Sequence, residues 1–299
     1  MSRSVSGTKW SIKELLKVTT DYLKKKEIEN PRLCAEILLA FQLETTRVNL
    51  YLDFGQPVSE RDVSGYRCLI KRRLKREPVQ YITGKQEFWS KEFLVGPEVL
   101  IPRPETEILV EQVVSLCREG DRSVPPNANI LDLGTGSGAI AIALAGELKE
   151  AAIWASDISK DSLDIAKLNA DRHHVTNRMH FKYGDLFQPF VSCSLKLDVI
   201  VSNPPYIAPE EYDSLPPEVR DYEPKQALFA REGGLFFIEK IIRQAPDYLC
   251  PGGWLLVEMD PRQISRAFQI MDDSGRYSEK KPIKDYSHKD RVIAAKTRA

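Results

Sequence analysis

The sequence has no C-x-x-C pair: Cys34, Cys68, Cys117, Cys193 and Cys250 are scattered, and none lies at metal-ligand spacing from the four histidines. That excludes a disulfide framework and a zinc scaffold and implies reduced thiols. His173 and His174 are neighbours, but adjacent side chains point apart, so no metal is expected. Long apolar runs are also missing. The longest central one, AIAIALA, is far short of the roughly 20 residues that span a bilayer, and MSRSVSGTKWSIKELLK carries no apolar signal region. A cytoplasmic protein without membrane association is expected.

Net charge is absent too, with 43 Lys and Arg against 43 Asp and Glu. The balance hides an asymmetry: residues 1–86 hold 17 basic against 10 acidic residues, and the remainder 26 against 33. A basic segment containing KRRLKRE suits nucleic acid or an acidic protein, although a solvated helix face is the simpler reading. There is no internal repeat and no low-complexity segment.

What is present falls into three parts. Residues 1–85 read as a helical bundle. Ser11 and Glu14 stand at capping-box spacing before Ile12, Leu15, Leu16, Tyr22 and Leu23 on one face. Asn30 as N-cap and Pro31 at the first helical position open a second helix with Leu33, Ile37, Leu38 and Phe41. A third begins at Ser59. Residues 86–100 read as a β-hairpin linker broken by glycine and proline. Residues 101–299 alternate strand and helix, which predicts a parallel, doubly wound α/β sheet.

Within that part, NILDLGTGSGAIAIALA is a strand, a glycine loop and a helix. Gly134, Gly136 and Gly138 allow a tight turn that brings backbone amides, including those of Thr135 and Ser137, toward a ligand at the helix N-terminus. Counting Ala139, the run also fits G-x-G-x-x-A, so a nicotinamide dinucleotide and other adenosine cofactors both remain open. The next strand ends at Asp157, 23 residues after Gly134, where an acid can accept from a ribose diol. A third strand ends in YGDLF, placing Asp185 for an adenine amino group and Leu186 beside the ring. Each acid alone is equally well an N-cap or a solvated turn; three strand ends on one rim favour a ligand.

The fourth strand, LDVIVS, ends on Asn203, Pro204, Pro205 and Tyr206. Two prolines cannot continue a ladder; they stiffen the turn and leave its carbonyls as acceptors. The Asn203 side-chain oxygen and the Pro204 carbonyl suit the two N–H bonds of a planar amine or amide, and Tyr206 offers an aromatic face. A dehydrogenase has no use for this tetrapeptide. An amide nitrogen is a weak nucleophile, so alignment with an electrophilic sulfonium methyl and stabilisation of the charge growing on nitrogen are what the protein can contribute. An aromatic face adds a cation–π contribution of roughly 0.5–2 kcal/mol.

These motifs, together with EPVQYITGKQEFWSKEFLVGPEVLIPRPETE, YEPKQALFA, GGLFFIEKII and KDYSHKDRVIAAK, resemble the peptide chain release factor glutamine methyltransferases, a family of class I S-adenosylmethionine-dependent enzymes. The resemblance implies methylation of the glutamine side-chain amide in the Gly-Gly-Gln tip of class I release factors. It implies that the loop Gly134–Gly138, Asp157, Leu186 and Asn203 contact S-adenosylmethionine, and that Asn203–Tyr206 hold the glutamine. The IPRPETE block implies a hold on the methionine end of the cofactor, and the helical domain a grip on the release factor. Two places depart from the family's pattern: Met259 and Asp260 replace a glycine-containing turn, and His288 replaces a glycine. The weighed alternative is an adenine or cytosine amino methyltransferase acting on a flipped base. The acidic catalytic part and the lack of a separate target-recognition domain argue against it, so a protein substrate, no direct nucleic acid and a monomer are expected.

Overall fold

The computed structural model describes residues 10–118 and 124–298. Residues 1–9, which include most of the stretch read as lacking a signal region, lie outside them. The chain divides into two compact units, Met1–Gly84 with Pro217–Tyr222, and Lys85–Pro216 with Glu223–Ala299. Among the described residues, no helix is long and apolar enough to cross a membrane.

The first unit is helical: α1 (Ile12–Lys25), α2 (Pro31–Gln42), α3 (Arg47–Leu52), α4 (Glu60–Leu74) and α5 (Val79–Thr83), joined by a later helix, Pro217–Tyr222. The capping box forms as expected: Glu14 N donates to Ser11 Oγ (3.3 Å) and Ser11 N to Glu14 Oε2 (2.8 Å). Asn30 does not act as read. It sits in the left-handed region (φ 47°), not the extended conformation from which an N-cap side chain reaches the second or third helical N–H, and it makes no side-chain cap. The buried face of α2 is Cys34, Ala35, Leu38 and Leu39, while Leu33, Phe41 and, on α1, Tyr22 stay exposed. Buried Arg73 on α4 donates to Glu218 (2.8 Å) and to the Glu77 carbonyl (3.1 Å), and Tyr222 donates to the Lys75 carbonyl (2.7 Å).

The second unit opens with an antiparallel hairpin, β1 (Lys85–Phe88) and β2 (Lys91–Leu94). Its two turn residues, Trp89 and Ser90, both have positive φ (51° and 54°), the primed geometry that matches strand twist but strains side chains other than glycine. Glu107 accepts from Trp89 N (2.7 Å) and Glu147 from Trp89 Nε1 (3.0 Å), which holds that turn. Then follow α6 (Glu107–Arg118), β3 (Asn129–Leu133), α7 (Ala139–Glu147), β4 (Ala152–Asp157), α8 (Lys160–Arg172), β5 (Met179–Tyr183) and β6 (Leu197–Ser202). After α9 (Pro217–Tyr222), which belongs to the first unit, come α10 (Lys225–Leu228), α11 (Phe236–Tyr248), β7 (Leu249–Glu258), α12 (Ile264–Ser274), β8 (Tyr277–Lys284) and β9 (Asp290–Thr297).

The strands form one seven-stranded sheet in the order β5-β4-β3-β6-β7-β9-β8. Alternation along the strands feeds two cores. Ile130, Ile153, Val199 and Leu256 pack with α6 and α7; Leu131, Ile200 and Leu255 pack with Ile238, Ile241 and Ile242 of α11 and with α12. The doubly wound expectation holds, with one change: β9 runs antiparallel to both β7 and β8. The short Asp285–Lys289 connection cannot make the crossover that a parallel pair needs. Strand β8 itself was not foreseen. It carries Lys280, Lys281 and Pro282 at the sheet edge, where charge and proline suit an unpaired side but hide the period-2 signal.

Candidate active site

Strand β3 pairs with β4 on one side and β6 on the other, so the chain winds outward through β4 and β5 and then returns across β3. Such a reversal opens a crevice at the carboxyl ends of the strands. A cavity of about 570 Å³ lies there, within the range of small-molecule sites. Its wall includes Gly134, Thr135, Gly136, Ser137, Asp157, Asp185, Leu186, Asn203, Pro204 and Pro205. Of the residues read as site candidates, only Gly138 and Tyr206 are outside it.

Gly134 N and Thr135 N donate to the Ser156 carbonyl (both 2.9 Å), tying the glycine loop to β4. A Cβ at Gly134 or Gly136 would meet nothing within 4 Å, so both leave bare backbone facing open space. Gly138 does a different job. It caps α7 at φ +82°, and a Cβ there would press on Ile142 (2.9 Å) and Ala166 (3.1 Å). Asp157 accepts from Gly136 N on one carboxylate oxygen and from Ser159 N on the other (both 2.9 Å), and each oxygen keeps acceptor capacity for a ligand. Burial pushes its pKa up, partly offset by the Ser159 and Gly136 amides. Ser156 adds a buried hydroxyl on the wall with no hydrogen-bond partner among the described residues. Leu186 adopts φ 45°, a costly conformation for this side chain, and Asp185 beside it is exposed.

At the end of β6, Ser202 Oγ donates to the Leu133 carbonyl (2.6 Å), and Asn203 Nδ2 donates to Thr106 Oγ1 (3.0 Å). With its nitrogen engaged, Asn203 has its amide oxygen left as the acceptor for a ligand. The Tyr206 hydroxyl lies 3.3 Å from Glu258 Oε1, and its half-buried ring packs against the apolar core. Beyond it, Ile207 bridges in parallel to Phe229, and Gln263 Nε2 donates to the Tyr206 carbonyl (2.9 Å).

Two groups that position these residues were not read from the sequence. Asp132, fully buried beneath the loop, accepts from Thr135 Oγ1 (2.7 Å) and Ala141 N (3.2 Å); burial raises its pKa to about 7. Glu258, at the end of β7, accepts from Thr106 Oγ1 (2.7 Å), and burial raises it to about 7 against the pull of the Thr106 hydroxyl and the Arg291 charge. Arg103, on the wall, is paired with buried Glu223.

Residues 14–84 match the family model described as the PrmC N-terminal domain, and residues 106–215 match the Methyltransferase small domain. A release factor glutamine methyltransferase of Geobacter sulfurreducens is 42% identical over 266 residues, 89% of this chain and 90% of that protein. The chain belongs to the release factor glutamine methyltransferase family. A second relative of that name, from Rhodopirellula baltica, is 38% identical over 294 residues, 98% of this chain and 99% of that protein. The solved hMettl16 catalytic domain, in complex with the MAT2A 3'UTR hairpin 6, has a TM-score of 0.56 at 15% identity, covering 82% of this chain and 84% of that one, and so shares the fold.

The places where this chain departs from the family's pattern have distinct structural consequences. Asp260 begins a capping box, accepting from Arg262 N (2.9 Å) while Gln263 Oε1 accepts from Asp260 N (3.2 Å), and this aims Gln263 at the Tyr206 carbonyl. His288 holds φ 60°, the region glycine occupies freely, and donates its N–H to the Asp285 carbonyl (2.8 Å).

Proposed function

We propose that this protein transfers a methyl group from S-adenosylmethionine to the side-chain amide nitrogen of the glutamine in the Gly-Gly-Gln tip of class I peptide chain release factors. The observation that carries the reading is the oriented Asn203 amide, in one cavity wall with the glycine loop and Asp157, in a chain of this family. The residues present fit the cofactor: bare loop backbone at Gly134 and Gly136, spare acceptor capacity on Asp157, and an unpaired buried hydroxyl on Ser156. When bound, S-adenosylmethionine supplies an electrophilic methyl on a sulfonium.

The roles of the chain's own residues follow from chemistry. Asp157 accepts from the ribose hydroxyls, the loop Gly134–Gly138 lies against the cofactor, Asp185 takes the adenine amino group and Leu186 flanks the ring. Asn203 Oδ1 and the Pro204 carbonyl accept the two amide hydrogens of the substrate, which fixes the nitrogen's lone pair and stabilises the charge that develops there. The Pro204–Pro205 turn keeps both acceptors in place at little reorganisation cost. The helical unit grips the release factor, its basic balance suiting an acidic partner, and the protein works as a monomer in the cytoplasm.

Intact-mass spectrometry of an unmethylated release factor, incubated with the protein and S-adenosylmethionine and then mapped by peptide, tests this. One added methyl on the Gly-Gly-Gln glutamine is expected. No added mass from a protein that binds the cofactor would refute the substrate.

A further inference from the structure

Asn203 offers its ligand an oxygen or an NH2 group depending on a flip about one bond, and only the oxygen can accept a substrate N–H. What decides the flip is the group facing the other side. Thr106 Oγ1, 4% exposed, is that group, at 3.0 Å from Asn203 Nδ2. A threonine hydroxyl alone does not decide it, since it both donates and accepts. Against an ionised Glu258, which can only accept, its single hydrogen goes to Glu258 Oε2 at 2.7 Å, so toward Asn203 it acts as an acceptor and selects the nitrogen. Glu258 is 1% exposed, and its other oxygen faces the Tyr206 hydroxyl.

We infer that Thr106 and Glu258 are positioning residues for methyl transfer: the buried chain from Glu258 through Thr106 to Asn203 locks the Asn203 amide with its oxygen toward the substrate, and the same carboxylate anchors Tyr206 at the far end of the turn. This rests on the reading of Asn203 as the substrate acceptor. One carboxylate thus fixes both ends of the Asn203–Tyr206 segment, which lie three residues apart in the chain but 55 and 52 residues from Glu258. A buried glutamate needing only satisfaction would be served by any two donors. The choice of a hydroxyl that lies on the cavity wall and faces Asn203 is what a positioning role requires.

The test is steady-state methylation of a release factor by Thr106→Val and Thr106→Ser, each in the parent and in the Asn203→Ala background. Thr106→Val keeps the shape and removes the hydroxyl; Thr106→Ala serves the same purpose if valine does not fold. We expect Thr106→Val to lower kcat about 10- to 100-fold, with KM for S-adenosylmethionine within about threefold, and Thr106→Ser to restore most of the rate. In the Asn203→Ala background, Thr106→Val should cost less than about threefold further, because the two act through one group. A kcat for Thr106→Val within threefold of the parent, or equal losses in both backgrounds, overturns the inference. If the parent itself leaves the release factor unmodified, the substrate reading has failed instead. The lock is then read without activity, from hydrogen exchange of the Asn203 side-chain NH2, its NMR signals assigned by their loss in Asn203→Ala. Thr106→Val should accelerate that exchange and Thr106→Ser should not; unchanged exchange in Thr106→Val overturns the lock.

Discussion

Gly234→Ala should damage fold and site together, and the structure says by how much. Gly234 sits at φ +86°, and a Cβ built there overlaps the Tyr206 carbonyl oxygen and Gln263 Nε2 and comes within 2.9 Å of the Tyr206 carbonyl carbon. The left-handed conformation alone costs an alanine about 1–2 kcal/mol. Losing the Gln263 bond to that carbonyl adds about 1 kcal/mol, and displacing backbone to relieve the overlap about 1–3 kcal/mol. The stiffer unfolded chain returns about 0.4–1 kcal/mol. A net loss of about 2–6 kcal/mol is expected, a large fraction of the roughly 5–15 kcal/mol that holds a typical domain. Gly233→Ala is the internal control, at φ +63° with nothing within 4 Å of its Cβ, and should lose only about 1 kcal/mol. Urea unfolding of both variants separates strain from overlap. Turnover of whatever Gly234→Ala protein folds should drop by about 10²-fold, because the displaced carbonyl belongs to the turn carrying Asn203. Equal stabilities for the two variants would refute the reasoning.

Other expectations are as specific. Asp132 keeps its proton to about pH 7 when folded but loses it near its ordinary value of 3.8 when unfolded, so it lowers stability as pH rises between those values. Asp132→Asn should therefore gain on the parent by an amount on the order of 4 kcal/mol across that window, with Glu258 cancelling from the difference; parallel pH–stability curves would contradict this. Asp157→Ala should weaken S-adenosylmethionine binding about 10- to 100-fold by calorimetry with the fold retained, and unchanged affinity would remove it from the site. His288→Gly exchanges a left-handed histidine for a residue at home there, so its thermal stability should stay within about 0.5 kcal/mol or rise. A loss above about 1.5 kcal/mol would show that the side chain, not the backbone, holds that turn.

The readable parts of the sequence were those whose signal is local. The glycine loop, Asp157 at a strand end and the Asn203–Tyr206 turn each sit in a few consecutive residues with a periodic strand before them, and all but Gly138 and Tyr206 reach the cavity wall. Glu258 was hidden because a carboxylate closing an apolar run reads as the solvated end of a strand. Its meaning depends on Thr106, 152 residues away, and no spacing announces that. Asp132 was hidden likewise, inside a strand whose neighbouring residues Ile130, Leu131 and Leu133 are buried and apolar. The hydroxyl partner of Tyr206 was hidden for a related reason, since it lies 52 residues later in the chain. Edge strand β8 failed on charge, since the lysines that suit an edge remove the alternation by which strands are found.

The helical unit is discontinuous in the chain, and that constrains any attempt to study it apart. A fragment ending at Gly84 would have Arg73 still enclosed by α4 and its neighbours while Glu218, its carboxylate partner, was left behind with residues 217–222. A buried guanidinium without its counter-charge is a heavy liability for a small bundle. Binding assays with such a truncation would report on a weakened protein, so a faithful excision has to carry the 217–222 helix with it, appended through a flexible linker.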